Sequence, residues 1–182
     1  MVLQQYKPTR SQLLALRRTR RMAERGYRLL KLQRDALIVE FFRVLDRAKT
    51  LRSNLAEKYR VAEQRLAIAR AIEGSLGVRS AAFASREVPT LDLRTKNVMG
   101  IIVPKIEAKS VRKKLEERGY GVITTSARID EAAEAYEDLV EDVVVAAEIE
   151  TTMRRLIEEI EKVKRRVNAL EYRVIPELKA TE

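Results

Sequence analysis

LLALRRTRRMAERGYRLLKLQRDALIVEFFRVLDRAKTLRSNL occupies residues 13–55 and decides the fold. Its apolar side chains recur at alternating spacings of three and four, and only Arg20 and Arg34 interrupt the series. A heptad pattern sustained over this length is typical of a coiled coil rather than of a globular helix. We call these positions the apolar seam: Leu13, Leu16, Ala23, Tyr27, Leu30, Leu37, Phe41, Val44, Ala48, Leu51 and Leu55, continued one residue out of phase by Tyr59, Ala62, Leu66 and Ala69.

The second half of the chain repeats this pattern, again with a shift of one residue, which lies between Ala146 and Ile149. Two long helices joined by a connector pair in opposite directions, because parallel pairing would require the connector to run their whole length. The sequence therefore predicts an all-α dominated fold, a long antiparallel two-helix coiled coil with a short β-hairpin in the connector. The second seam comprises Ala132, Tyr136, Leu139, Val143, Ala146, Ile149, Met153, Leu156, Ile160, Val163, Val167, Leu170 and Val174.

Three segments follow from breaks in the pattern. Residues 1–72 form the N-terminal long helix, 73–125 a connector with the hairpin and a short helix, and 126–182 the C-terminal long helix. EGSLG at 73–77 breaks the first helix, and VPTLDLRTKNVMGIIVP at 88–104 predicts a hairpin that turns at Lys96 and Asn97. Thr125 or Ser126 is expected to cap the second helix, and Pro176 to mark its end or a weak point.

Charge is distributed unevenly along the chain. The formal net charge of +10 divides into +12 for residues 1–72, +4 for 73–125 and −6 for 126–182. Such complementarity suits two helices of one chain that lie side by side. On antiparallel pairing, the acidic run 130–142 is expected beside the basic stretch 43–60.

Composition argues against catalysis. The chain has no His and no Cys, which removes the commonest general base and the thiolate metal ligands, and no phosphate-binding or nucleophile motif is present. We expect no catalytic, cofactor or metal site, and neither a secretory leader nor a membrane span. Clustered basic residues near both ends leave one alternative, a basic coiled-coil adaptor that binds nucleic acid. A membrane-surface helix is disfavoured because the seam is narrow.

Four stretches resemble the D subunit of the archaeal A-type and vacuolar-type rotary ATPases. They are PTRSQLLAL with AERGYRLLKLQRDAL (8–37), NVMGIIVPKIE (97–107), TSARIDEAAEAYE (125–137) and RRVNALEYRVIP (165–176). The resemblance spans nearly the whole chain, in the family's order. It implies a noncatalytic central rotor shaft that passes torque between the hexamer of A and B subunits and the membrane rotor ring. The family's second helix usually continues a few tens of residues beyond VIP, whereas this sequence ends at Glu182.

The resemblance also implies partners and contact residues. The chain would bind the catalytic A and noncatalytic B subunits, an F subunit along the lower shaft and a funnel-shaped C subunit, with no nucleic acid and no direct membrane insertion. Its location would be cytoplasmic, peripheral to the membrane. Matching the terminal motifs assigns contact with the A/B hexamer to Arg10, Arg17, Arg21, Arg25, Arg165, Arg166, Asn168 and Tyr172. Contact with the F and C subunits is assigned to Leu139, Val143, Val145, Val98, Ile101 and Val103.

Overall fold

The structure, a computed structural model, describes residues 9–84, 90–109, 111–113, 118–120 and 125–182. Two long helices flank a two-stranded antiparallel hairpin along the chain, so the predicted fold class is confirmed. Val88 and Pro89, the first residues of the predicted hairpin, lie outside the described residues. The elements are α1 (Arg10–Ala84), β1 (Thr90–Val98), β2 (Ile101–Lys109), α2 (Ala127–Ala169), a π-helical turn (Leu170–Val174) and α3 (Ile175–Thr181).

α1 is interrupted inside the predicted breaking sequence EGSLG. Gly74 has φ 73° and ψ 163°, which is not helical, and the helix resumes beyond it to end at Ala84. The first helix thus has a short helical continuation after residue 72. The segment boundaries at 72/73 and 125/126 stay predictions.

The hairpin turn lies further along the chain than predicted. Val98 pairs with Ile101, so Met99 and Gly100 form the turn rather than Lys96 and Asn97. Both turn residues have positive φ, 53° for Met99 and 89° for Gly100, as a two-residue turn requires to match the twist of the strands. The side-chain oxygen of Asn97 accepts a hydrogen bond from the Gly100 amide at 2.8 Å. Gly100 at the second turn position was the sequence signal that would have located the turn correctly.

The chain divides into two compact units, and the first comprises Met1–Arg43 with Arg154–Glu182. Its core consists of seam positions of both helices, of which Leu37 and Leu156 have no exposed surface. The last residue of the sequence lies against α1, because Glu182 accepts a hydrogen bond from Arg17 Nε at 2.8 Å. The buried residues of this unit are Leu16, Leu37, Leu156, Val163 and Val167.

The second unit comprises Val44–Met153, and its helices pack through small side chains. One cluster joins Ala62 to Ala135 and Leu139, and another joins Ala69 and Ala81 to Ile129 and Ala132. Contacts between the helices run in opposite directions: Lys58 pairs with Asp142 at 2.7 Å, whereas Arg65 donates to the Glu131 carbonyl at 3.2 Å. This order is that of an antiparallel pair.

The start of α2 is held differently from the predicted side-chain cap. Within the described residues, the Ser126 hydroxyl is buried and has no hydrogen-bond partner. Its main-chain amide instead donates to Glu73 Oε1 at 3.0 Å. The carboxylate of Glu73 on α1 therefore satisfies an amide at this end of α2, where the Ser126 hydroxyl does not.

The acidic run 130–142 pairs mainly with the connector. Arg118 binds Asp130 and Glu137 at 3.0 and 3.2 Å, and Arg112 binds Asp138 and Glu141 at 2.8 and 3.2 Å. Across the described chain, the ion pair between this run and the basic stretch 43–60 is Lys58 with Asp142. The expectation that the acidic run lies beside 43–60 was therefore wrong. It compared the charges of the two long helices and left out the arginines of the connector, which pair with most of the run.

Candidate partner-binding surfaces

A basic surface lies on the first unit, formed by residues from both long helices. All eight residues assigned to A/B contact are exposed and belong to this unit, and we call them the terminal basic surface. The first four lie on α1. Of the other four, three lie at the end of α2 and Tyr172 lies in the π-helical turn. Glu161 lies 3.7 Å from Arg165, and Glu182 pairs with Arg17. The members are Arg10, Arg17, Arg21, Arg25, Arg165, Arg166, Asn168 and Tyr172.

The two arginines that interrupt the seam lie at its edge. Arg20 binds Glu182 at 2.9 Å, and Arg34 binds Asp35 at 2.8 Å. Their side chains are 32% and 26% exposed, so each keeps contact with water while its stem lies along the apolar surface. Arg20 and Arg17 together hold Glu182 against α1.

The end of the second helix contains a π-helical turn, which the heptad pattern did not predict. The Ile175 amide donates to the Leu170 carbonyl five residues earlier, and Pro176 has no amide hydrogen to form the next α-helical bond. Such a turn inserts one residue into the helix, often at functional sites. Val174 and Ile175 are half-buried, and the next half-buried position is Leu178, while Glu177 is exposed. The sequence did carry a signal for this turn: Pro176 is followed by Leu178, which lies four residues after the seam position Val174.

Tyr172 lies in the π-helical turn and exposes 76% of its surface. Arg173, its neighbour, pairs with Glu177 at 3.4 Å. An exposed tyrosine among cations offers a flat apolar surface with a polar tip, a combination enriched in protein interfaces. The turn therefore displays Tyr172 as an exposed member of the terminal basic surface.

The residues assigned to F and C contact divide by exposure. Leu139 and Val103 are buried within the chain at 6% and 3%, so their side chains are not accessible to a partner. Val143 and Val145 are 46% and 45% exposed on α2. Val98 and Ile101 are half-buried beside the hairpin turn. A partner could thus reach Val143 and Val145, and could reach Val98 and Ile101 in part.

A buried arginine holds the connector to α2. Arg118 is 7% exposed, and one guanidinium nitrogen donates to both the carbonyl and the carboxylate of Asp130, the other to Glu137. Tyr120 donates to the same Asp130 carboxylate at 2.7 Å. Between them, Gly119 passes so near the end of α1 that an added Cβ would lie 2.6 Å from the Ala84 carbonyl oxygen. We call Arg118, Tyr120, Asp130 and Glu137 the connector clasp.

The sequence around Gly119 gave no sign of the clasp. Charged and aromatic neighbours of a glycine do not reveal their partners, because these lie 10 to 19 residues further along the chain. Burial and the hydrogen bond to Asp130 raise the pKa of Tyr120 to about 12. Burial and a hydrogen bond to Glu63 likewise raise the pKa of Tyr136 to about 12. Both phenols therefore stay protonated donors at neutral pH.

Neither a metal site nor a membrane span is found in the part of the chain that the structure describes. No group of three or more Asp and Glu side chains there could hold a metal ion. No helix among those residues is both long and apolar enough to cross a membrane.

Comparison with known proteins identifies the family. The family model for the D subunit of ATP synthase matches residues 12–182. The chain belongs to the ATP synthase D-subunit family. It is 53% identical to the A-type ATP synthase D subunit of Methanoregula boonei, over 98% of this chain and 85% of that relative. Identity to the proteins of the same name is 51% for Methanosarcina acetivorans, over 100% of this chain and 87% of the relative, and 53% for Archaeoglobus fulgidus, over 93% and 81%.

Membership in the D-subunit family places the chain in an A-type ATP synthase, so the resemblance found in the sequence is confirmed. It implies contact with other subunits of that complex. The family match extends over both the terminal basic surface, except Arg10, and the connector clasp.

Proposed function

We propose that the chain is the central rotor shaft of the complex, a noncatalytic subunit that transmits torque between the A/B hexamer and the membrane ion-translocating rotor ring. The observation that supports this most is the antiparallel packing of α1 and α2 through buried apolar side chains. Two packed helices resist twisting better than one, because their side chains interdigitate at crystal-like density. A subunit that passes torque needs that resistance. It works in the cytoplasm, peripheral to the membrane.

The terminal basic surface is the part that contacts the A and B subunits. Its exposed arginines suit a collar with acidic loops, because long-range attraction between opposite charges is retained as one surface turns against another. Exposed ion pairs contribute only about 0–1 kcal/mol each, so no single contact would arrest rotation. Tyr172, displayed by the π-helical turn, adds one larger apolar contact.

The second unit binds the F and C subunits. Val143 and Val145 are exposed apolar side chains on different sides of α2, and both are contacts for the F subunit. The hairpin end around Val98 and Ile101 contacts the C subunit, which connects the shaft to the ring. Leu139 and Val103 act from within by supporting these surfaces, since both are buried.

Rotation itself can be observed with a probe on the hairpin. The chain has no cysteine, and Met99 in the hairpin turn is 51% exposed, so Met99→Cys creates a unique attachment point. We expect a bead attached there to rotate in one direction when ATP is added to a complex immobilised through its A and B subunits. ATP hydrolysis beside a stationary bead would refute the shaft role.

Charge reversal tests the A/B surface separately. The double variant Arg21→Glu with Arg25→Glu should weaken assembly with the A/B hexamer, most strongly at low salt where charges are least screened. Arg79→Glu, an exposed arginine of the second unit, is the matched control and should assemble normally. Equal assembly of both variants would remove the terminal basic surface from the proposal. Binding lost after nuclease treatment would instead favour the nucleic-acid adaptor.

A further inference from the structure

The two outer edges of the hairpin differ. Because Val98 and Ile101 flank a two-residue turn, they form a hydrogen-bonded pair, and such pairs alternate along the ladder. The main-chain groups of Leu91, Leu93, Thr95 and Asn97 therefore face away from β2. On β2, those of Ile102, Pro104 and Ile106 face away from β1. The Ile106 amide confirms this alternation, since it points outward to a helix residue rather than to β1.

The β2 edge is closed to further pairing. The Ile106 amide donates to Glu148 Oε2 of α2 at 2.9 Å. Pro104 has no amide hydrogen, and proline on an edge strand is a common natural barrier to the addition of another strand. Val103 is buried and several other residues of β2 are half-buried, so this strand faces the body of the unit.

The β1 edge is open. The described part of the chain provides no hydrogen bond to the outward main chain of Leu91, Leu93 or Thr95. Seven of the nine β1 residues are exposed. The strand contains no proline, and no carboxylate of a described residue covers its outward edge as Glu148 covers that of β2. A nine-residue strand with free donors and acceptors is long enough to template a further strand.

Side chains on β1 define what would bind there. Leu91 and Leu93 share one face and are 54% and 68% exposed, which is unusual for leucines unless a partner covers them. On the opposite face Arg94 pairs with Asp92, and Lys105 of β2 pairs with Glu107. Lys96 is exposed, and within the described residues no carboxylate pairs with it. The edge is thus apolar on one face and carries an available cation on the other.

We propose that β1 accepts an extended strand of a partner subunit, which becomes the third strand of the sheet. The added strand would carry apolar side chains against Leu91 and Leu93 and an acidic residue near Lys96. Main-chain hydrogen bonds supply the affinity in this mode of recognition, and the alternating side chains supply the specificity. The proposal rests on the proposed function in one respect: the added strand comes from another subunit of the same complex.

Amide hydrogen exchange resolved to single residues tests the proposal in a complex reconstituted from this chain and the remaining subunits. The outward amides of Leu91, Leu93 and Thr95 should exchange at least about tenfold more slowly in the complex than in the free chain, because each gains a hydrogen bond. The inward amides of Arg94 and Lys96 are bonded in both states and should change little. Unchanged exchange at the three outward amides in an assembled complex would overturn the proposal.

One substitution separates strand addition from general protection. Leu93→Lys places a charge on the open edge, a natural device against strand pairing, and should abolish the slowing at all three amides. Leu93→Val keeps an apolar, strand-favouring residue and should retain it. Because Leu93 is 68% exposed, both variants should keep the inward amides protected in the free chain, which checks folding.

The remaining outcomes are also decisive. Slowing that appears in the free chain only as its concentration rises would show pairing with a second copy and would overturn the partner strand. A wild-type chain that fails to assemble with the other subunits would overturn the proposed function, whereas assembly with a freely exchanging β1 edge would overturn this inference alone.

Discussion

The two units of the chain are stabilised by different means. In the first unit the buried seam consists of large aliphatic side chains such as Leu37, Leu156 and Val163. In the second unit most buried residues on the facing helices are alanines, including Ala62, Ala69 and Ala132. An alanine buries much less apolar area than a leucine, and apolar burial contributes about 25 cal/mol per Å². The second unit therefore gains less from its seam.

Polar contacts accompany the alanine-rich seam. The connector clasp, the Arg112 pairs and the bond from Tyr136 to Glu63 at 2.9 Å all lie in the second unit. Small residues let helices approach closely, and the clasp then fixes the connector to α2. One heptad pattern therefore supports two kinds of stabilisation. The first unit depends on apolar burial, and the second combines close helix packing with the buried ion pairs of Arg118.

Leu156→Ala should have the largest effect. Leu156 has no exposed surface, and truncation of a buried leucine costs about 2–5 kcal/mol through lost burial and the cavity left behind. Urea unfolding of the full chain measures the loss. Leu29→Ala, at a 68% exposed leucine of the same unit, is the control and should change stability by less than about 0.5 kcal/mol. Equal losses of stability in the two variants would contradict the conclusion that the buried seam stabilises the first unit.

Arg118→Met should come next and act on the second unit. It leaves the Asp130 and Glu137 carboxylates, 22% and 17% exposed, without their shared cation, at a cost of about 2 kcal/mol. Hydrogen exchange should accelerate near the start of α2 and stay unchanged at Val163. Arg128→Met, which removes an exposed pair with Glu131, is the matched control and should have little effect. Uniform acceleration in both units would argue against separate stabilisation.

Ala62→Leu tests whether small residues are required in the second unit. Ala62 has no exposed surface and packs against Ala135 and Leu139, so a larger side chain must force the helices apart, at about 1–3 kcal/mol. Ala67→Leu, on the exposed face of the same helix, should be nearly neutral. A stabilised Ala62→Leu variant would show that the alanine seam is underpacked rather than closely packed.

The helices could be predicted from the sequence because heptad periodicity reports directly which face is buried. Their antiparallel pairing could be predicted because a connector joins the end of one helix to the start of the other. Leu37, Leu139 and Val163 were all seam positions and are all buried. The clasp could not be predicted, since the partners of Arg118 depend on how the connector folds back. The same limit applies to Leu139 as a contact residue, because periodicity assigns it to the core and only the family resemblance suggested a partner.

Tyr120→Phe should change the pH dependence of the second unit. The folded-state pKa of about 12 exceeds the ordinary value of 10.0, so the phenol stabilises the fold fully below pH 10 and loses that contribution as the pH rises toward 12. Removing the hydroxyl should cost about 1 kcal/mol at neutral pH and flatten this alkaline loss. Phenolate absorbance measures the titration directly. Tyr172→Phe, at an exposed tyrosine, is the control, and an identical alkaline loss in wild type and Tyr120→Phe would contradict the clasp.

Gly26→Ala should have the smallest effect and the opposite sign. Gly26 lies inside α1 in the first unit, and among the described residues a Cβ built there meets nothing within 4 Å beyond its chain neighbours and the local helix backbone. Alanine in a helix interior is favoured over glycine by about 0.5–1 kcal/mol, so the variant should unfold at higher urea concentration. Gly100→Ala is the contrasting control, because φ of 89° in the hairpin turn makes any side chain unfavourable. A destabilised Gly26→Ala variant would show that α1 needs a flexible point beside the seam. Burial alone would then not explain the stability of the first unit.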